Sequence, residues 1–259
     1  MLKTITRPRK FNDAQWIERI SIRPKKILTS NSKLSLDGIW NFTLPAFNAN
    51  VVIDGQLQTI RTCEGAGACV NFCYACGSCY TFDNSMIKHH RNLQYMISDP
   101  FNFVEQVVKE INSKRNLKFL RWHDSGDFIP MLWPLYKAIM ERCPQVKFYA
   151  YTKMVSFIKN LYNEKQVPNN FSVIYSFGGI GDNQIDINID KHSRIFKNRK
   201  DLRAAGYVEA YKSDKPAANP KNRKIGLIVH GSAVQMNIIN KNKSIETMNK
   251  KIEQKKMVA

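Results

Sequence analysis

Five of the six cysteines in this 259-residue chain lie between positions 63 and 79, at Cys63, Cys69, Cys73, Cys76 and Cys79. Thiolates crowded this closely are the soft donors that hold zinc or iron–sulfur clusters, so residues 62–80 read as a metal-binding loop. Two spacings overlap in it. Cys69, Cys73 and Cys76 form C-x3-C-x2-C, three thiolates that leave one iron of a [4Fe–4S] cluster open. Cys73, Cys76 and Cys79 form C-x2-C-x2-C, like the start of a ferredoxin run in which cysteine closes every iron. Zinc is the alternative metal. Disulfides would also use an even cysteine count. Against them, the N-terminal stretch Met1 to Arg9 lacks the apolar segment of a signal peptide. A chain of this length also buries enough core to stand without staples. Cys143, alone in Glu-Arg-Cys-Pro, reads as a small buried hydrophobe.

The net charge of +19 raises the local concentration of polyanions, which points to nucleic acid or nucleotide as the partner. The bland alternative is a lysine-rich coding bias. No apolar run approaches the ~18–20 residues that cross a bilayer, so a cytoplasmic protein with no membrane partner is expected.

Three regions follow along the chain. Residues 1–50 form a basic N-terminal extension with a short helix from about Asp13, capped by Asn12 or Asp13, and a strand in Gly38 to Leu44 stopped by Pro45. Residues 51–232 form a barrel-like α/β domain. It opens with a hairpin over Val51 to Ile60, turning at Asp54-Gly55, whose second arm runs into Cys63. Helical spacing follows in Asn84 to Ile97 and Phe103 to Ile111. Strands at 117–122, 146–151, 171–177 and 225–229 then alternate with helices at 132–140 and 154–162, the pattern of parallel βαβ units and of a full or partial barrel. Residues 212–224 read as an exposed loop. Residues 233–259 are a basic tail, with Ser244 to Lys256 a thin-faced helix expected to be solvated or frayed.

Polar residues gather where the strands end. His123, Asp124, Ser125 and Asp127 follow one strand; Thr152 and Lys153 another; Ser176, Gly178 and Gly179 a third; His230, Gly231 and Ser232 the last. In parallel α/β folds that rim is where ligands bind. Each group has a plainer use, as a helix cap, a satisfied core histidine or a turn. Glycine-freed amides at Gly178 and Gly179 could also receive a carboxylate or phosphate.

The ordered motifs Thr62-Cys-x-Gly-Ala-Gly-x-Cys-x3-Cys-Tyr-Ala75, Arg121-Trp-His-Asp-Ser-Gly-Asp-Phe128, Phe148-Tyr-Ala-Tyr-Thr-Lys153 and Ser172-Val-Ile-Tyr-Ser-Phe-Gly-Gly179 resemble the phage gene product 88 family, over about residues 60 to 208. Their layout is also similar, more distantly, to radical S-adenosylmethionine enzymes. The resemblance implies a radical-enzyme type of barrel carrying a [4Fe–4S] cluster and S-adenosylmethionine, in the host cytoplasm if phage-encoded. The family's recurring cysteines match Cys63, Cys69 and Cys73, whereas the radical-enzyme spacing selects Cys69, Cys73 and Cys76. Lys153 would face the cofactor carboxylate, with Ser176, Gly178 and Gly179 beside it. His123, Asp124 and Asp127 would position substrate or move a proton. Two alternatives stay open: a nucleic-acid-binding protein with structural zinc or a closed cluster, and a barrel hydrolase or base-exchange enzyme using Asp124 and Asp127.

Overall fold

In the computed structural model, residues 6–76, 78–210, 213–229 and 238–258 are described. Helix α1 (Asp13–Ser21) starts in a capping box, Asn12 accepting from the Gln15 amide while the Gln15 side chain reaches back. Helix α2 (Ser32–Leu36) leads into strand β1 (Ile39–Asn41). Strands β2 (Asn48–Ile53) and β3 (Gln56–Arg61) form an antiparallel hairpin. Its two turn residues, Asp54 and Gly55, have φ of +50° and +76°, as the tight hairpin turn with the twist of its strands requires. Single 3-10 turns at Ala68–Phe72, Tyr74–Cys76 and Ser78–Thr81 carry the cysteine loop to helix α3 (Asp83–Ser98). Helix α4 (Pro100–Ser113) follows, with Asp99 accepting from the Asn102 amide and proline at its first position.

Strand and helix then alternate: β4 (Phe119–Trp122), α5 (Trp133–Arg142), β5 (Lys147–Thr152), α6 (Val155–Asn163), β6 (Phe171–Ser176), β7 (His192–Phe196), α7 (Arg199–Ala204), β8 (Val208–Glu209), α8 (Lys215–Ala218), β9 (Lys224–Ile228) and α9 (Ile238–Val258). Seven strands form one parallel sheet in the order β1-β4-β5-β6-β7-β9-β8, curled into a half-barrel. The partial parallel barrel expected from the sequence is therefore present. Strand β1, expected in a separate N-terminal extension, is an edge of this sheet, paired through Ile39 and Phe119.

A parallel sheet is covered on both faces, which explains the nearly unbroken apolar runs of β5 and β6. Leu120, Trp122, Phe148 and Val173 pack outward on Phe103, Val107, Tyr136 and Ile158 of the surrounding helices. Ile39, Tyr149, Ile174 and Ile225 face inward and meet Ala217 and Ala218 of α8, which overturns the exposed loop expected there. No helix among the described residues is long and apolar enough to cross a membrane.

The C-terminal residues also depart from expectation. Ile245, Met248 and Ile252 of α9 are buried in the main core, spaced so that all three share one helix face. Arg194 of β7, buried to 1% of its side chain, donates to Glu253 Oε1 at 2.8 Å and to Asn249 Oδ1. These bonds to an arginine on a strand complete an apolar face that looks thin on its own. The helix is docked. Replacing fully buried Ile245 with Ala should therefore cost about 2–5 kcal/mol in urea unfolding, whereas a solvated tail would leave the midpoint unchanged.

Candidate functional site

The cysteine loop is fixed from both ends. Thr62 donates its hydroxyl to Pro45 O at 2.7 Å and its amide to Phe47 O at 2.9 Å, where β3 ends. Beyond it the backbone lies directly on the ends of β5 and β6. The amides of Gly67 and Cys69 both donate to Gly178 O, at 3.2 and 2.9 Å, and Ile180 N returns to Gly65 O at 3.0 Å. A Cβ on Gly65 would stand 2.5 Å from Lys153 O, and one on Gly67 2.9 Å from the Gly179 carbonyl carbon. Only glycine permits that approach.

Docked in this way, Cys63, Cys69, Cys73 and Cys76 all line one chamber inside the mouth of the half-barrel. It encloses about 150 Å³, and about 870 Å³ when the open mouth is counted. Cys79 is exposed and does not line it. All six cysteines are free, so the chain forms no disulfide. Arg121, His123, Asp124, Asp127, Tyr151, Lys153 and Ser176, from the ends of β4, β5 and β6, line it as well.

The thiols differ in their surroundings. A hydrogen bond from Cys76 holds the Cys73 thiol down at about 6, and the same bond pushes Cys76 up. Burial, with Asp127 adding to it, pushes Cys63 up to about 12. Its sulfur accepts the Phe47 amide at 3.2 Å. Burial also raises Cys69, with Lys153 opposing it. For Lys153, burial favours the neutral amine, but Cys69, Asp127 and Cys73 outweigh it and keep the ammonium. Its Nζ donates to Ser176 Oγ at 3.1 Å.

Among the described residues, no three His, Cys, Asp or Glu side chains converge as a ready cage for a single metal ion. Four thiols line the chamber, with an amide on one sulfur and an ammonium beside two others, a soft donor set of the kind that holds zinc or an iron–sulfur cluster.

The expected acid–base residues occupy distinct settings. Asp127 accepts from the Phe128 amide at 2.8 Å, the Thr152 hydroxyl at 2.6 Å and the Lys153 amide at 2.8 Å. Both its oxygens are engaged, so it braces two strand ends and is poorly placed to carry a proton. Asp124 accepts the Tyr80 hydroxyl and lies 3.5 Å from Arg121 Nη1, while its carbonyl accepts Tyr74. His123 has φ of +59°, is 3% exposed, and has no hydrogen-bond partner among the described residues at either ring nitrogen. Phe42, Phe128 and Tyr136 enclose its ring. The amides of Gly178 and Gly179 do receive a carboxylate, but it is that of Asp182, at 2.9 Å to each. They are thus closed to a cofactor, and these glycines serve the packing of the cysteine loop. His230, Gly231 and Ser232 lie outside the described residues.

Two residues at this site had not been expected. Arg121 lines the chamber, and Asp214 accepts from it at 2.9 Å and from the Tyr149 hydroxyl at 3.0 Å. A charge within the apolar run Phe-Leu-Arg-Trp of a doubly covered strand was the available signal for Arg121. Asp214 sits in a stretch whose loop-like composition hid it.

A parallel half-barrel with a thiol-lined chamber at the C-terminal rim of its strands is the class this architecture defines. Residues 20–255 match the model of the Gene product 88 family, and the chain belongs to that family. No curated protein and no solved structure matches it.

Burial holds His89 and His90 down at about 4 and His123 down at about 3. Each takes a proton near 6.5 when unfolded but resists it when folded, so this stability is present above pH 6.5 and is lost as pH falls toward 4. Urea midpoints should drop between pH 7 and pH 5, with a slope of up to about 1.4 kcal/mol per unit for each histidine. The His89→Gln, His90→Gln double variant should make the profile shallower, leaving the part that His123 contributes.

Proposed function

We propose that the chain is a [4Fe–4S] enzyme of the radical S-adenosylmethionine-like kind, acting on a nucleic acid or nucleotide. The observation that carries this reading is the chamber itself. Its thiols share an open space with a polar wall of strand-end side chains, whereas a structural metal site is closed on itself.

Cys69 and Cys76, on successive 3-10 turns, and Cys73, the extended residue between them, are the ligands that the radical-enzyme spacing selects. When bound, the cluster supplies the low-potential electron that cleaves S-adenosylmethionine. Lys153 offers an ammonium to the cofactor carboxylate, and Ser176 fixes where that ammonium points. Asp127 holds the two loops that present them, through Thr152 and the Lys153 amide. Asp124 lines the chamber as the group that meets substrate, while His123, its ring enclosed by Phe42, Phe128 and Tyr136, is the weaker candidate for that role. The charge of +19 favours a polyanion.

A second reading is favoured by Cys63, which also faces the chamber. Four cysteines would close every iron, leaving a nucleic-acid-binding protein braced by its cluster. A hydrolase built on Asp124 and Asp127 is the weaker option, because Asp127 has both oxygens engaged.

Electron paramagnetic resonance of the reduced, anaerobically purified protein separates the first two. The open-cluster enzyme should change its signal on adding S-adenosylmethionine and release 5′-deoxyadenosine. Cys63→Ala and Cys79→Ala should then stay brown, and Cys73→Ala should be colourless. If Cys63→Ala loses colour and S-adenosylmethionine leaves the signal unchanged, the closed cluster is correct.

A further inference from the structure

Arg121 is the third residue of β4 and points into the half-barrel. Its guanidinium lies 5.0 Å over the Tyr151 ring. Nη1 donates to Asp214 Oδ2 at 2.9 Å and stands 3.5 Å from Asp124 Oδ1. Asp214 is itself held by the Tyr149 hydroxyl. The plane of the guanidinium is therefore set before any ligand arrives. Yet its Nε is buried and has no acceptor among the described residues. A buried donor left unpaired costs about 1–3 kcal/mol, a cost that a ligand acceptor would remove.

We propose that Arg121 reads the two-acceptor edge of a guanine-type base in this chamber. The proposal rests on the nucleic-acid part of the reading above and is independent of the cluster. Three features select that ligand. First, Arg121 already faces two carboxylates, so a phosphate or carboxylate brought to it would be repelled; the acceptor it suits is neutral. Second, the Nε and Nη2 hydrogens form a parallel fork, which matches two acceptors side by side. Guanine O6 and N7 offer that pair, whereas adenine presents a donor beside N7. Third, the rings of Tyr74 and Tyr151 line the same chamber and offer faces for a flat base.

The test is isothermal titration of the protein as purified anaerobically, with guanosine, adenosine, 7-deazaguanosine and inorganic phosphate as probes. Nucleosides are used so that no phosphate contributes. Guanosine should bind at least about tenfold tighter than adenosine or 7-deazaguanosine, which lacks N7. Arg121→Lys, which keeps the charge but loses the fork, should erase that preference while Tyr151→Leu weakens all three nucleosides together. Equal binding of the nucleosides, no nucleoside binding, or displacement of guanosine by phosphate would each overturn the proposal. Should Arg121→Lys fail to fold, the 7-deazaguanosine comparison decides on the native chain. Guanosine selectivity in a colourless, iron-free protein would keep this proposal and sink the cluster instead.

Discussion

Backbone packed on backbone is what the rest of this molecule depends on. Residues 65–69 meet residues 178–180 through main-chain hydrogen bonds, with no side chain between them. Cys69 is placed by its own amide on Gly178 O. Cys63 is placed by the Phe47 amide at the other end of the same stretch. Four thiols can face one chamber because this seam leaves the loop no freedom to swing out. The ends of β5 and β6 in turn are held by Asp127 and Asp182, two carboxylates spent on backbone amides. The scaffold of the site is thus electrostatic as well as steric, and it is built before any ligand is bound.

The half-barrel was legible because its central strands are apolar on both faces and its helices carry clear periodicity. Elements that break those rules were not. Strand β7 puts His192 and Arg194 where a buried strand usually has valine or isoleucine, because Arg194 reaches across to α9. Helix α9 shows Ile245, Met248 and Ile252 on one face, but its stability depends on that arginine, a partner some fifty residues away in sequence and invisible to local pattern. Short α8 was masked by proline and lysine, although Ala217 and Ala218 fill the inside of the sheet.

The site was legible in outline and not in its details. Spacing marked the loop and the polar strand ends marked the rim. It could not tell that Cys79 stays exposed and off the chamber, since C-x2-C-x2-C treats it as equal to Cys76. Nor could it tell that Asp182 would claim the amides of Gly178 and Gly179, a contact that depends on a turn three residues wide. Arg121 shows the converse. Its importance comes from Asp214, which only the folding of the sheet brings beside it.

Iron and acid-labile sulfide per chain, measured on anaerobically purified protein, test the central claim most directly. About four of each per chain, lost together in Cys73→Ala and retained in Cys79→Ala, is the predicted result. One zinc per chain, or iron that survives the loss of Cys73, would contradict it.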